Sequence, residues 1–119
     1  MELDKVMEHL SGKAGAEQGF PFGPEVLVFK VGGKIFALVA LDETPLRVNL
    51  KCDPHQAEVL RGLYPAVTPG YHMNKKHWNT VILDGTVPED EVFAMMDDSY
   101  DLVVKSLPRA ERERLGMGK

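Results

Sequence analysis

One cysteine, one tryptophan and no apolar run longer than seven residues set the first limits on this chain. The lone Cys52 excludes an internal disulfide and a thiolate zinc centre built from its own cysteines, and this cysteine usage fits a reducing compartment. The longest apolar run, Ile35 to Leu41, is seven residues, whereas a bilayer-spanning helix needs roughly 20. It reads as a strand, and no membrane partner is expected. The opening residues Met1 to Lys5 lack the basic start and apolar stretch of a secretory signal, so the expected location is the cytoplasm. Positive charge is also in deficit. Fourteen Lys and Arg against 18 Asp and Glu leave a net charge of −4, so contact with nucleic acid or anionic lipid requires a local basic patch.

Catalytic signatures are missing as well. Ser11, Ser99 and Ser106 lie outside any G-x-S-x-G turn, and Cys52 shares the parity of Leu46, Val48 and Leu50, which predicts a buried and inert thiol. Gly32-Gly33 joins two predicted strands with no helix start after it, so it is a turn and not a phosphate loop. His55, His72 and His77 do not have the spacing of a zinc site. Asp97, Asp98 and Asp101 on one side of a helix read as a solvated face before they read as a cation site. A base role for His72 or His77 finds no nucleophile or electrophile to serve. No enzyme activity, metal or cofactor is expected.

What is present suits one small domain over residues 1–119, since 119 residues with 44% apolar content can close a single core. Leu3, Val6, Met7 and Leu10 give a first amphipathic helix, ended by Gly12 and Gly15. Gln18 to Pro24 reads as an ordered connection with Phe20 and Phe22 available to tuck under the fold. Val26 to Val31 and Lys34 to Leu41 form a hairpin about Gly32-Gly33. Leu46, Val48, Leu50 and Cys52 then alternate with Arg47, Asn49 and Lys51, giving a strand with one dry and one wet face.

Asp53-Pro54, with Gln56 three residues past the cap, starts a short helix running to about Gly62. Segments near Val67 to Met73 and His77 to Leu83 predict a second hairpin with Asn74, Lys75 and Lys76 at its tip. Thr86 and Glu89 mark a capping box for a long helix with apolar face Val92, Met96, Tyr100, Val103 and Leu107. Pro108 ends or kinks it, and residues 109–119 read as a charged tail with a possible helical turn. The order α-β-β-β-α-β-β-α predicts a two-layer α+β fold: an antiparallel sheet with helices on one face.

Charge is unevenly placed along the chain. From Arg47 to Thr80 five basic residues meet two acids, a net +3, while Asp84 to Asp101 holds seven acids and no Lys or Arg. Residues 69–79 concentrate the functional side chains: Tyr71, His72, Asn74, Lys75, Lys76, His77 and Trp78. Two readings stand. The lysines hold phosphates while the rings stack a base, or the rings pack in the core, the lysines are merely solvated and the asparagines shape the turn. Parity supplies a second surface, a platform of Arg47, Asn49 and Lys51 that Lys30 can join, which is equally the ordinary wet side of a one-sided sheet. Trp78, Thr80 and Ile82 compete with Val81 and Leu83 for the core, so parity alone does not orient Trp78.

Pro21-Phe22-Gly23, the Lys34-Ile35-Phe36-Ala37 strand, Cys52-Asp53-Pro54, the run from Pro69 through Tyr71-His72-Met73-Asn74-Lys75-Lys76-His77-Trp78 to Asn79, and Ser99-Tyr100-Asp101-Leu102-Val103 resemble the MmcQ/YjbR family across nearly the whole chain. That resemblance implies a CyaY-like, or frataxin-like, α+β fold described as a double wing, and a DNA-binding label that rests on shape. Frataxin-like proteins bind iron through acids of the first helix and neighbouring strand. Here that helix offers only Glu2, Asp4 and Glu8, which argues against iron. The expected function is a non-enzymatic, monomeric DNA-binding or regulatory module using Arg47, Lys51 and the 71–78 segment, with weak, salt-sensitive binding. The alternative is a small anionic ligand or a protein partner at the same surface.

Overall fold

The structure, a computed structural model, describes residues 1–70 and 73–116. Its elements are α1 (Leu3–Ser11), β1 (Glu17–Gly19), β2 (Val26–Val31), β3 (Lys34–Ala40), β4 (Arg47–Lys51), α2 (Pro54–Leu63), β5 (Val67–Pro69), β6 (Trp78–Ile82), α3 (Glu89–Ser106) and α4 (Arg109–Arg114). The strands form one antiparallel sheet in the order β1-β2-β3-β4-β6-β5. The α+β class expected from the sequence is therefore present, with one more strand and one more helix. No helix among the described residues is long and apolar enough to cross a membrane.

Cross-strand register sorts the sheet residues onto two faces. Leu27, Val39, Val48, Val81 and Val67 form one inward row, and Phe29, Ala37, Leu50 and Asn79 the next. The apolar members of both rows join the buried side chains of α1 (Val6, Leu10), α2 (Ala57, Leu60) and α3 (Val92, Met95, Met96, Tyr100, Val103) in one cluster. Val28, Leu38, Asn49, Thr80 and Thr68 run across the opposite, outer face.

The β2–β3 hairpin turns on Gly32 and Gly33, whose φ values of 58° and 80° are those a tight turn requires and a side chain resists. A register shift after Phe29 leaves Phe36 as the extra residue of a bulge, so Phe36 and its neighbour Ala37 are both fully buried. Past that bulge Ser99 of α3 fills the gap between strands: its hydroxyl donates to the Phe36 carbonyl at 2.6 Å and accepts the Lys51 amide at 2.8 Å.

Three local expectations are corrected. Glu17–Gly19 is an edge strand paired with β2, not connection. Phe20 and Phe22 do not tuck under the fold but stand 52% and 63% exposed, beside a turn closed by the Gly23 amide on the Phe20 carbonyl. Thr86 does not cap α3. Its hydroxyl donates to Asp84 at 2.6 Å, Pro88 occupies the cap, and the first-turn acids Glu89, Asp90 and Glu91 face the positive helix end instead. The helical turn expected after Pro108 is present as α4, and Leu115 beyond it packs against the core.

A basic strand face and its clamped tryptophan

The alternation in β4 delivers Arg47, Asn49 and Lys51 to the outer face, all half-buried, while Val48 and Leu50 go inward. In the ladder Lys51 lies directly across from Trp78, Asn49 from Thr80 and Arg47 from Ile82. Trp78, Thr80 and Ile82 thus take the outer side, and Asn79, Val81 and Leu83 are buried. Lys30 of β2 is half-buried beyond Val28 on the same side. At Arg47 the Nε donor is buried with no hydrogen-bond partner among the described residues.

Trp78 is held through its backbone. Its carbonyl accepts the Gly70 amide at 2.8 Å and an Arg61 Nη at 3.3 Å. Gly70 packs so closely that a Cβ there would lie 2.8 Å from Trp78 Cβ. Arg61, from α2, also donates from Nε to Asn79 Oδ1 at 2.7 Å and makes a short hydrogen bond to the Lys75 carbonyl. One side chain therefore ties a helix to the strand and to the turn. The sequence reading counted Arg61 only as charge, since its partners lie 14 to 18 residues further on.

The expected hairpin has shorter strands, Val67–Pro69 and Trp78–Ile82, and a longer connection between them. Asn74 Oδ1 accepts the Lys76 amide at 3.0 Å, and the Asn74 carbonyl accepts the His77 amide at 3.1 Å. The His77 carbonyl accepts the Cys52 amide at 2.7 Å, anchoring the turn to the end of β4. Lys75 and Lys76 are both exposed, and Lys75 folds its ammonium back onto the Gly70 carbonyl at 3.2 Å. Lys75 thus serves the loop's own backbone. The expectations placed on Tyr71 and His72 lie outside the described residues.

The helical layer has the opposite charge. The seven acids from Asp84 to Asp101 fall on α3 and the segment before it. A cleft of about 480 Å³ lies there, near Lys5, His9, Lys13, Glu89 and Phe93. Its lysines are already matched, Lys5 to Glu89 at 3.2 Å and Lys13 to Asp97, and His9 Nε2 lies 2.7 Å from Asp97 Oδ1. His9 also stacks on Phe93, with ring centroids 4.3 Å apart. This cleft is a self-neutralised seam between α1 and α3, so the strand face remains the stronger candidate for an anion. Cys52 is buried beside α3 and α2. Burial, then the charges of Asp98 and Asp53, push its thiol up against the lowering pull of Arg61, which leaves it a poor nucleophile. Among the described residues no group of three His, Cys, Asp or Glu is placed to hold a metal.

With this geometry in place, comparison with known proteins gives consistent relatives. The family model described as YjbR matches residues 11–102. The chain is 43% identical to the uncharacterised protein YbdF of Escherichia coli O157:H7, over 98% of this chain and all of that one. It is 36% identical to the uncharacterised protein YjbR of Escherichia coli K12, over 97% and 98% of the two chains. Among solved structures, a crystal structure of the Deinococcus radiodurans protein DR2400 is similar with a TM-score of 0.92 and 42% identity, covering 97% of this chain and 88% of that one. A Pseudomonas syringae protein is similar with a TM-score of 0.75 and 26% identity, over 87% and 99%.

Proposed function

This chain belongs to the YjbR family, and from that premise we propose that it is a non-enzymatic DNA-binding or regulatory module whose contact surface is the outer strand face with the turn at Asn74 to His77. One observation carries the reading. Lys30, Arg47 and Lys51 emerge on the face away from the core, with Trp78 directly across from Lys51, while the acidic run is carried by the helical layer. Packed layers sit about 10 Å apart, close to one Debye length at 0.1 M salt. A phosphate chain laid on the strands therefore meets the cations directly and the acids through a screened field.

Lys30, Arg47, Lys51 and Lys76 are four cations, and four phosphate contacts give weak binding whose affinity falls with salt at a log–log slope of about −3.6. In this reading the β2–β3 and β5–β6 hairpins are the wings of a CyaY-like, frataxin-like double wing, working as a cytoplasmic monomer. The test is anisotropy of fluorescein-labelled DNA, single- and double-stranded, at low and tenfold higher salt. Binding at low salt that drops by three to four orders of magnitude is expected from that slope, with loss in Arg47→Glu/Lys51→Glu. No binding at low salt, or unchanged binding in that double variant, overturns the reading.

A second reading, a small anion at the same surface, is favoured by a cleft of about 300 Å³ between Glu17 to Pro21 and the Val28 and Lys30 side chains. That volume is at the lower end of small-ligand pockets. It predicts that inorganic phosphate raises the thermal midpoint and that Lys30→Ala abolishes the rise.

A further inference from the structure

We infer that the strand face takes a single-stranded stretch of nucleic acid in preference to a duplex, with Trp78 as the stacking platform; this rests on the reading of that face given above. Shape is the first reason. The side chains that reach solvent on this face, Lys30, Arg47, Asn49, Lys51 and Trp78, rise from the strands around the buried Val28, Leu38 and Thr80, so the face is a sheet floor and not a helix or ribbon of the size that enters a major groove. A duplex laid on such a floor offers only its phosphates, because its base faces are already stacked. A single strand offers base faces as well.

The ring is the second reason. Trp78 is half-buried on the outer side, and the Gly70 and Arg61 contacts fix its backbone, so a ligand stacking there does not have to order the strand that carries the ring. Lys51 stands directly across the ladder, and cross-strand neighbours of this kind have Cβ atoms about 4.5–5.5 Å apart. A base lying on the indole keeps its own phosphate within reach of that ammonium.

Charge density is the third. Duplex DNA carries one negative charge per roughly 1.7 Å of axis, and a single strand, with one backbone instead of two, is the less dense polyanion. A molecule of net charge −4 with few cations on its contact face is repelled more by the denser polymer. Stacking on Trp78 supplies for a single strand what the small number of cations does not.

The experiment uses the full chain at low salt with labelled oligo-dT, labelled oligo-U, a duplex of equal length, and inorganic polyphosphate as a base-free competitor. Trp78, the one tryptophan of the chain, reports stacking through its emission. At least one of the single strands should bind ten times more tightly than the duplex and quench that emission, while polyphosphate competes without quenching. The tighter of the two strands identifies DNA or RNA as the source. Trp78→Ala should weaken single-strand binding at least tenfold, and Trp78→Phe, which keeps a ring in the same place, should restore most of it. Equal or tighter duplex binding, no quenching, or a Trp78→Phe variant as weak as a folded Trp78→Ala variant overturns the inference. If no polyanion binds, the underlying reading falls with it. If duplex and polyphosphate bind without preference, only the stacking claim fails.

Discussion

The Lys51 amide of β4 donates to the Ser99 hydroxyl of α3 at 2.8 Å, so a residue of the proposed contact face is fixed from the opposite layer. Ser99 is 0% exposed, and its own proton goes to the Phe36 carbonyl at 2.6 Å. Ser99→Ala removes both bonds and leaves the strand groups unsatisfied where the bulge has opened the ladder. The expected cost is about 1–3 kcal/mol, read as a lower urea midpoint with an unchanged slope.

Asp97 supports the seam between α1 and α3. Burial pushes its carboxyl up, but hydrogen bonds from Lys13 and His9 outweigh that and hold it below the usual carboxylate range. A carboxyl depressed in the folded state adds stability that is fully present above its unfolded value, near 3.9, and is lost as pH falls through the folded value. Asp97→Asn should lower stability at pH 7 by no more than about 1 kcal/mol, because the side chain is 42% exposed and solvent screens the pair. The variant should also flatten the acid limb of a stability-against-pH curve below pH 4.

Asp98, the next residue, has the opposite sign. Desolvation first, then repulsion from Asp101 and Asp97, raise its carboxyl above the usual range. Its ionised form is disfavoured by folding, a penalty complete above the folded value and absent below the unfolded one. Asp98→Asn should therefore raise the urea midpoint at pH 7, by an amount within about 1 kcal/mol, and bring no gain at pH 3. Equal effects at both pH values would show that charge is not the cause.

Gly70 is required by proximity to Trp78. A Cβ at residue 70 would lie 2.8 Å from Trp78 Cβ and 3.0 Å from the Trp78 carbonyl oxygen, and neither atom is the free end of a flexible side chain. Gly70→Ala should cost about 1–3 kcal/mol as overpacking and shift the tryptophan emission. An unshifted spectrum at full stability would contradict the clamp.

The parts of this molecule legible in its sequence are those set by local chemistry. Alternation around Arg47, Asn49 and Lys51 gave the correct face, Gly32-Gly33 the turn, and Asp53 the cap, where its carboxylate accepts the His55 and Gln56 amides. Trp78 was not legible, because burying Asn79 in place of a larger apolar neighbour makes sense only once Arg61 reaches across from α2 to satisfy its Oδ1. Glu17-Gln18-Gly19 has no intrinsic strand preference and is a strand only by pairing with β2. Lys75 read either as a phosphate ligand or as a merely solvated lysine, and neither reading included the contact of its amine with the Gly70 carbonyl. In each of these cases the deciding partner is remote in the chain or is the backbone itself, which periodicity does not register.

Both margins of the sheet are strands of three residues, and β5 ends on Pro69, which has no amide proton. Among the described residues, a second molecule arriving at either of these strands meets few unsatisfied main-chain groups with which to pair. Concentrated samples should stay dispersed rather than growing into fibrils seeded at these two strands.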